Sequence, residues 1–343
     1  MKSLSSTSSS DRGPTLLRFF AGVLLVAALA VAGQYAIDAL RPPEFSPTIR
    51  GMPRQIDNTL VYLGDSINAS FDHTEENSKP LSALISLAAD HHIGTVALGG
   101  YDMRLFRDYI RTMLPRISPD KPHTWILTVN LANYRQDGRV PWTRNKQHIA
   151  LLRQYLHRPF RAFATPMRIF QFPAFRPDMR PDEDARRPIL WQGRTIGRTR
   201  DFTDERFKIA GVTDDLRREN VIIRYGQPMT PDNLALRATA EAARLLRSRG
   251  QRAVFCIMPC DVGRCDALLD GRITPILDEK AATVAAAARA AGGEVLDLHA
   301  AFPHDLFIPD QYPNEHLRNA GRERLARAIA DFIATNAPPP AAP

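Results

Sequence analysis

Leu60-Val61-Tyr62-Leu63-Gly64-Asp65-Ser66-Ile67-Asn68 is an apolar, strand-like run that breaks abruptly into Gly-Asp-Ser. A serine placed where a strand turns sharply into a helix presents its hydroxyl at the edge of a sheet, with nearby backbone N–H groups able to bind a developing oxyanion. Ser66 is therefore a candidate nucleophile. Gly, Asp and Ser are equally the ordinary residues of turns and helix N-caps, so the tripeptide takes its meaning from what surrounds it.

Beyond this run, short apolar stretches alternate with helical patterns. Strands are expected at Thr59–Leu63, Thr95–Leu98, Trp125–Val129, Ala253–Met258 and Glu294–Leu298. Helices are expected at about 79–91, 102–114, 145–157, 232–249, 273–292 and 319–335. Strand and helix in alternation at this spacing predict a parallel sheet covered on both faces, the three-layer α/β class. Ligands bind such sheets at the carboxyl ends of the strands, which is where Ser66 falls. The pattern fills residues 59–335, interrupted at about 158–230 by an Arg- and Pro-rich segment without clear periodicity, read as a lid or substrate-facing insertion. Residues 336–343 have the composition of a disordered tail.

The 343 residues suffice for one large or two modest domains. The formal net charge of +8 comes mostly from arginines scattered along the chain. No long Lys/Arg run, zinc-finger spacing or aromatic RNA-binding signature accompanies it, which argues against nucleic acid as a partner. The same balance suits an anionic phospholipid surface or an acidic polysaccharide.

Residues 1–18 form a polar tail carrying Lys2, Arg12 and Arg18, and residues 19–40 are predominantly apolar. As a helix, the apolar run from Phe19 would span about 28 Å, one hydrocarbon core. The cations ahead of it predict a single-pass anchor with a cytoplasmic N-terminus and an extracytoplasmic, periplasmic domain. Ala30-Val31-Ala32 leaves a cleaved signal peptide as the alternative, with the same destination for the domain. Residues 41–58, with four prolines, read as a linker from membrane to domain.

Cys256, Cys260 and Cys265 are the only cysteines. Cys260 and Cys265 flank a loop-like spacer, Asp261-Val262-Gly263-Arg264, so they form either a small disulfide or two thiols. No second Cys/His pair stands at ligand spacing, which argues against zinc, and no motif calls for a cofactor.

Acyl transfer through serine needs a base, a group that orients the base, and donors for the oxyanion. Among nine histidines, His316 stands out. It lies in Phe307-Ile308-Pro309-Asp310-Gln311-Tyr312-Pro313-Asn314-Glu315-His316-Leu317-Arg318-Asn319-Ala320-Gly321, a loop after the last strand that leads directly into the last helix. His73, seven residues after Ser66, is the reserve candidate; the others lack such a setting.

Gly64-Asp65-Ser66 after the first strand, with His316-Leu317-x-x-x-Gly321 before a C-terminal helix, resembles the SGNH hydrolases, the GDSL esterase and lipase superfamily. The resemblance spans about residues 57–335 outside the insertion. It implies a flavodoxin-like three-layer fold, with Ser66 as nucleophile and His316 as base. It further implies an oxyanion hole from the Ser66 N–H, a glycine N–H and an asparagine amide. Leu98-Gly99-Gly100-Tyr101 offers two glycines, with Gly100 preferred as the one in the turn beyond the strand end. For the asparagine, Asn130 ends the third strand and is chosen over Asn133, although the family's usual Gly-x-Asn-Asp is absent. The run instead looks like an Asn-Leu-x-x-Tyr variant of membrane-anchored members.

The family's aspartate three residues before the histidine is replaced by Pro313. Either Asp310 orients the imidazole through a longer loop, or a backbone carbonyl holds the ring in a Ser-His dyad. Glu315 points elsewhere if the local backbone is extended. The resemblance implies a serine esterase or O-acyltransferase acting on an acyl ester, by analogy acetyl, of a glycan or glycolipid. Anchored relatives of surface-polysaccharide O-acetylation work beside a multispanning membrane acyltransferase, which would be the partner. A lipase or thioesterase on membrane lipid, and a non-catalytic module binding glycan or protein, are the rival readings.

Overall fold

The computed structural model describes residues 18–29, 32, 47–70, 72, 74–75, 78–118, 120–134, 141–156, 188–191, 194–198, 213–308 and 315–335. Five strands form one parallel sheet: β1 (Leu60–Gly64), β2 (Ile93–Ala97), β3 (Thr124–Val129), β6 (Arg252–Ile257) and β7 (Glu294–Asp297). Their order is β2-β1-β3-β6-β7. A separate antiparallel hairpin, β4 (Pro188–Trp191) and β5 (Arg194–Arg198), lies within the 158–230 segment. With that hairpin set aside, the order is the 2-1-3-4-5 of doubly wound, flavodoxin-type sheets.

The strands are apolar without interruption because both faces are covered. Val61, Leu63, Trp125, Leu127, Val129, Phe255 and Ile257 point to one side. There they meet α2 (Met103–Met113), α5 (Leu234–Arg247) and α7 (Thr274–Ala290). Leu60, Tyr62, Ile126, Val254 and Cys256 point to the other, against α1 (Leu81–Ala89) and α8 (Asn319–Thr335). The period-two split of each strand between two layers is the physical content of the three-layer prediction. A further helix, α3 (Pro141–Leu156), packs its Leu152 into the first layer.

Two helices lie where none was expected. α4 (Asp214–Arg224) falls inside the segment read as aperiodic, yet it carries ordinary signals: a Thr213 N-cap, Asp214 and Asp215 in the first turn, and Arg224 in the last. α6 (Val262–Leu269) begins in the spacer read as a loop, with Asp261 as its N-cap. Cys256, Cys260 and Cys265 are buried free thiols, with Cys260 and Cys265 hydrogen-bonded to each other rather than joined as a disulfide. Burial pushes the Cys256 thiol up to about 12.

The expected linker over 41–58 is also folded in its second half. Pro47–Gly51 is a helical turn and Met52–Asp57 a 3₁₀ helix, with Ile49, Met52 and Ile56 in the core. This strap lies along the outer edge of β2, where the Gln55 side chain accepts a hydrogen bond from the Thr95 N–H at 2.8 Å. An open sheet edge is thereby covered. The approach is so close that a Cβ at Gly94 would stand 1.9 Å from the Gln55 carbonyl oxygen. Gly94→Ala is accordingly expected to destabilise the fold by about 1–3 kcal/mol, read as a lower urea midpoint, because backbone and not a flexible side chain must move.

Residues 18–29 are helical, with Phe19, Leu24, Val26 and Leu29 more than half exposed. Among the described residues no helix is long and apolar enough to cross a membrane. Residues 30, 31 and 33–40 of the expected span lie outside the described residues, as do His73, Asp310, Pro313 and the 336–343 tail.

Candidate active site

The carboxyl ends of β1, β2 and β3 and the chain after β7 meet at one edge of the sheet. The strand order reverses direction between β1 and β3, so this edge contains the topological switch point where doubly wound sheets bind ligands. β1 ends at Gly64 and the chain enters a one-turn 3₁₀ helix, Ser66–Asn68. Asp65 caps that turn, its side chain accepting the Ile67 N–H at 3.1 Å. Asn68 extends the anchoring by accepting the Ser82 N–H at the start of α1, at 2.9 Å. The turn is fixed at both ends while Ser66 itself stays partly accessible.

Ser66 Oγ and His316 Nε2 lie 3.3 Å apart, although 250 residues separate them in sequence. With the proton on Nδ1, the serine hydroxyl donates to Nε2, the geometry of a nucleophile and its base. The histidine loop is pinned on either side by Ile308 N–H to His316 C=O, 3.0 Å, and Arg318 N–H to Leu306 C=O, 2.9 Å. Gly321 is the glycine of the His-Leu-x-x-x-Gly element, and its role is steric: a Cβ there would sit 2.7 Å from the Leu306 carbonyl oxygen. Helix α8 can dock against the loop only because that atom is missing. The N–H of Asn319, at the start of α8, donates to Glu75 at 2.6 Å, which ties the helix to the segment after Ser66.

Leu98-Gly99-Gly100-Tyr101 is a four-residue turn closed by Tyr101 N–H to Leu98 C=O at 3.0 Å. Gly100 has φ 83°, a value suited to glycine at the third turn position. Gly99 lies close to Ser66: a Cβ added to it would stand 3.8 Å from Ser66 Cβ.

Asn130 comes directly after β3, and its amide is held between two carboxylates. Its Nδ2 donates to Asp65 Oδ2 at 3.0 Å and to Glu315 Oε1 at 2.6 Å, while its Oδ1 accepts the Ala132 N–H at 3.0 Å. A primary amide carries two N–H bonds, and both are directed at carboxylates. Asn133, one turn later, is partly exposed and makes a long contact, 3.5 Å, to the Tyr101 carbonyl.

Glu315, Arg224 and Tyr225 are site residues that no local sequence signal marks. Glu315, beside His316 in sequence, is buried and held among polar partners. There its Oε1 also accepts from Arg224 at 3.0 Å and its Oε2 from the Tyr225 hydroxyl at 2.8 Å. Burial opposes its charge, but Arg224, His316, Asn130 and Tyr225 together hold it down at about 2. Asp65 moves the other way, up to about 6, through burial and then the Glu315 charge, against the Asn130 hydrogen bond. His316 is held below the usual imidazole range by burial, with Glu315 opposing and Arg224 adding to the effect. A buried carboxylate held ionised and a neighbouring imidazole held neutral are what a general base needs at neutral pH.

Among the described residues no group of three or more His, Cys, Asp or Glu side chains could hold a metal ion.

No family model matches the chain. No curated protein matches it either. Among solved structures, two mutants of Axe2, an acetyl-xylooligosaccharide esterase from Geobacillus Stearmophilus, each align with a TM-score of 0.37 and 13% identity, over 80% of this chain and 94% of theirs. LAE5, an alpha/beta hydrolase enzyme from the metagenome of Lake Arreo, Spain, aligns with a TM-score of 0.35 and 12% identity, over 81% of this chain and 94% of its own. Likeness at this level carries no argument; the fold rests on the strand order and the site on its geometry.

Proposed function

We propose that this chain is a serine esterase or O-acyltransferase working through an acyl-enzyme on Ser66. The observation that carries the proposal is the 3.3 Å contact between Ser66 Oγ and His316 Nε2 at the switch point of the sheet. Ser66 attacks the acyl carbonyl as His316 takes its proton. The Ser66 N–H and the N–H groups of the Gly99–Gly100 turn, packed beside it, are the donors for the tetrahedral oxyanion. His316 then protonates the leaving alcohol, and water or a sugar hydroxyl resolves the acyl-enzyme.

The substrate we favour is an acetyl ester of a glycan or glycolipid outside the cytoplasm. The support is the apolar stretch at 19–40 behind a basic tail, with the chain's net charge of +8. A single-pass anchor would hold the domain at the membrane, beside a multispanning acyltransferase if the reaction is transfer.

The test is reaction of the full chain with a fluorophosphonate and identification of the modified peptide by mass spectrometry. The adduct is expected on Ser66, and an adduct elsewhere, or none, overturns the proposal. The pH profile offers a second measurement. A base must be neutral to act, and burial lowers the His316 pKa below its ordinary 6.5. The acid limb of kcat/KM is therefore expected to have its midpoint below that value, and a midpoint above it would count against His316 as the base.

A further inference from the structure

Asp65 immediately precedes Ser66 and Glu315 immediately precedes His316, and the two carboxylates are bridged by the same Asn130 amide. We infer that Asn130 and Glu315 are positioning residues, a strut whose length sets the gap between nucleophile and base. The inference rests on the proposed Ser66–His316 chemistry and adds to it what holds the pair together.

The strut is determined at every joint. Asn130 cannot rotate its amide, because Oδ1 is held by the Ala132 N–H and the opposite orientation would set an oxygen against two carboxylates. Glu315 cannot swing, because Arg224 and Tyr225 grip both of its oxygens. Asp65 is fixed by the Ile67 N–H on its other oxygen. Asp65, Asn130 and Glu315 are each buried, so water does not replace a lost bond cheaply. A displacement of either carboxylate along the strut moves the adjoining catalytic residue with it, and catalysis is sensitive to shifts of about 1 Å.

The charged and titratable groups around the strut come from several elements. His316 adjoins Glu315, Arg224 and Tyr225 face it from the end of α4, and Tyr62 on β1 lies beside Asp65. The Cys260 and Cys265 thiols lie behind Tyr225. Of the described groups acting on Glu315, Arg224 is the one with a permanent positive charge, and at His316 it works against the rise that Glu315 causes.

The test uses the full chain labelled with ¹³C in its histidine rings, the His316 signal being identified by its loss in His316→Gln. In Glu315→Gln the His316 pKa is expected to fall by about 0.5–1 unit, since the carboxylate that raises it is gone. Glu315→Asp keeps the charge and is expected to rescue the value to within about 0.2 unit. In parallel, Asn130→Ala and Glu315→Gln are each expected to lower kcat for p-nitrophenyl acetate about 100-fold, with KM changed less than about threefold. The double variant is expected to fall no further than the worse single one, because both substitutions cut the same strut.

An unchanged His316 titration in Glu315→Gln overturns the inference. So does a double variant whose loss is the product of the single losses, the result for an independent oxyanion donor at Asn130. Should Asn130→Ala not fold, Asn130→Ser takes its place in the cycle. Turnover that survives Ser66→Ala would instead sink the catalytic proposal, and the histidine titration would still decide whether Glu315 governs His316.

Discussion

Ser66→Ala is expected to reduce p-nitrophenyl acetate turnover by the full chain by at least about 10³-fold. Ser66 carries the oxygen in contact with His316 Nε2, and another hydroxyl of the turn, Ser70 Oγ, is occupied donating to the Ser66 carbonyl at 2.7 Å. Ser70 is therefore a poor substitute nucleophile. His316→Ala should cost a similar factor, and the double variant little more than either alone, because the two side chains form one proton-transfer unit. Losses that multiply, or a rate that survives Ser66→Ala, would mean that the hydrolysis measured has another source.

Arg224→Ala should have the largest effect on stability. It leaves the Glu315 carboxylate, whose side chain is 3% exposed, without its cationic partner. Breaking a buried pair from one side costs about 3–5 kcal/mol, and the partial exposure of Arg224, at 25%, argues for the lower end. The pH dependence has a definite sign. Glu315 is depressed from its ordinary 4.5 to about 2 in the folded protein, so the stability it contributes is present above pH 4.5 and fades as pH falls towards 2. The difference in urea stability between Arg224→Ala and the unsubstituted chain should thus be full at about pH 6–7 and shrink below about 4.5. A difference independent of pH would show that Arg224 acts through packing of its stem and not through its charge.

The sheet was readable because strands buried on both faces write themselves as unbroken apolar runs, and β1, β3 and β6 lie within a residue of their expected bounds. Ser66 and His316 were readable by topology: one comes after the first strand, the other precedes the last helix, and a parallel sheet brings both to one edge. Glu315, Arg224 and Tyr225 were not readable in the same way. Their bonds join positions about 90 residues apart, and an ion pair of that span leaves no periodicity in either local stretch. The position of Asn130 at a strand end is legible, but it says nothing about which groups its amide will meet, here Asp65 and Glu315. The helix over Asp214–Arg224 had a legible cap and a charge pattern suited to the helix dipole, masked by the Arg- and Pro-rich composition around it. The strap at 47–57 is obscured for a similar reason, its prolines reading as a tether where they begin short helical turns.

The separation of 250 positions between Ser66 and His316 also bears on how the protein is born. A chain synthesised from its N-terminus exposes the serine early, but the imidazole lies beyond the last strand, in a loop that needs β7 and α8 to hold it. Folding of a parallel sheet cannot close that distance until both elements have left the ribosome. Ser66 and His316 therefore cannot meet during synthesis. The pair is completed only when the last helix docks.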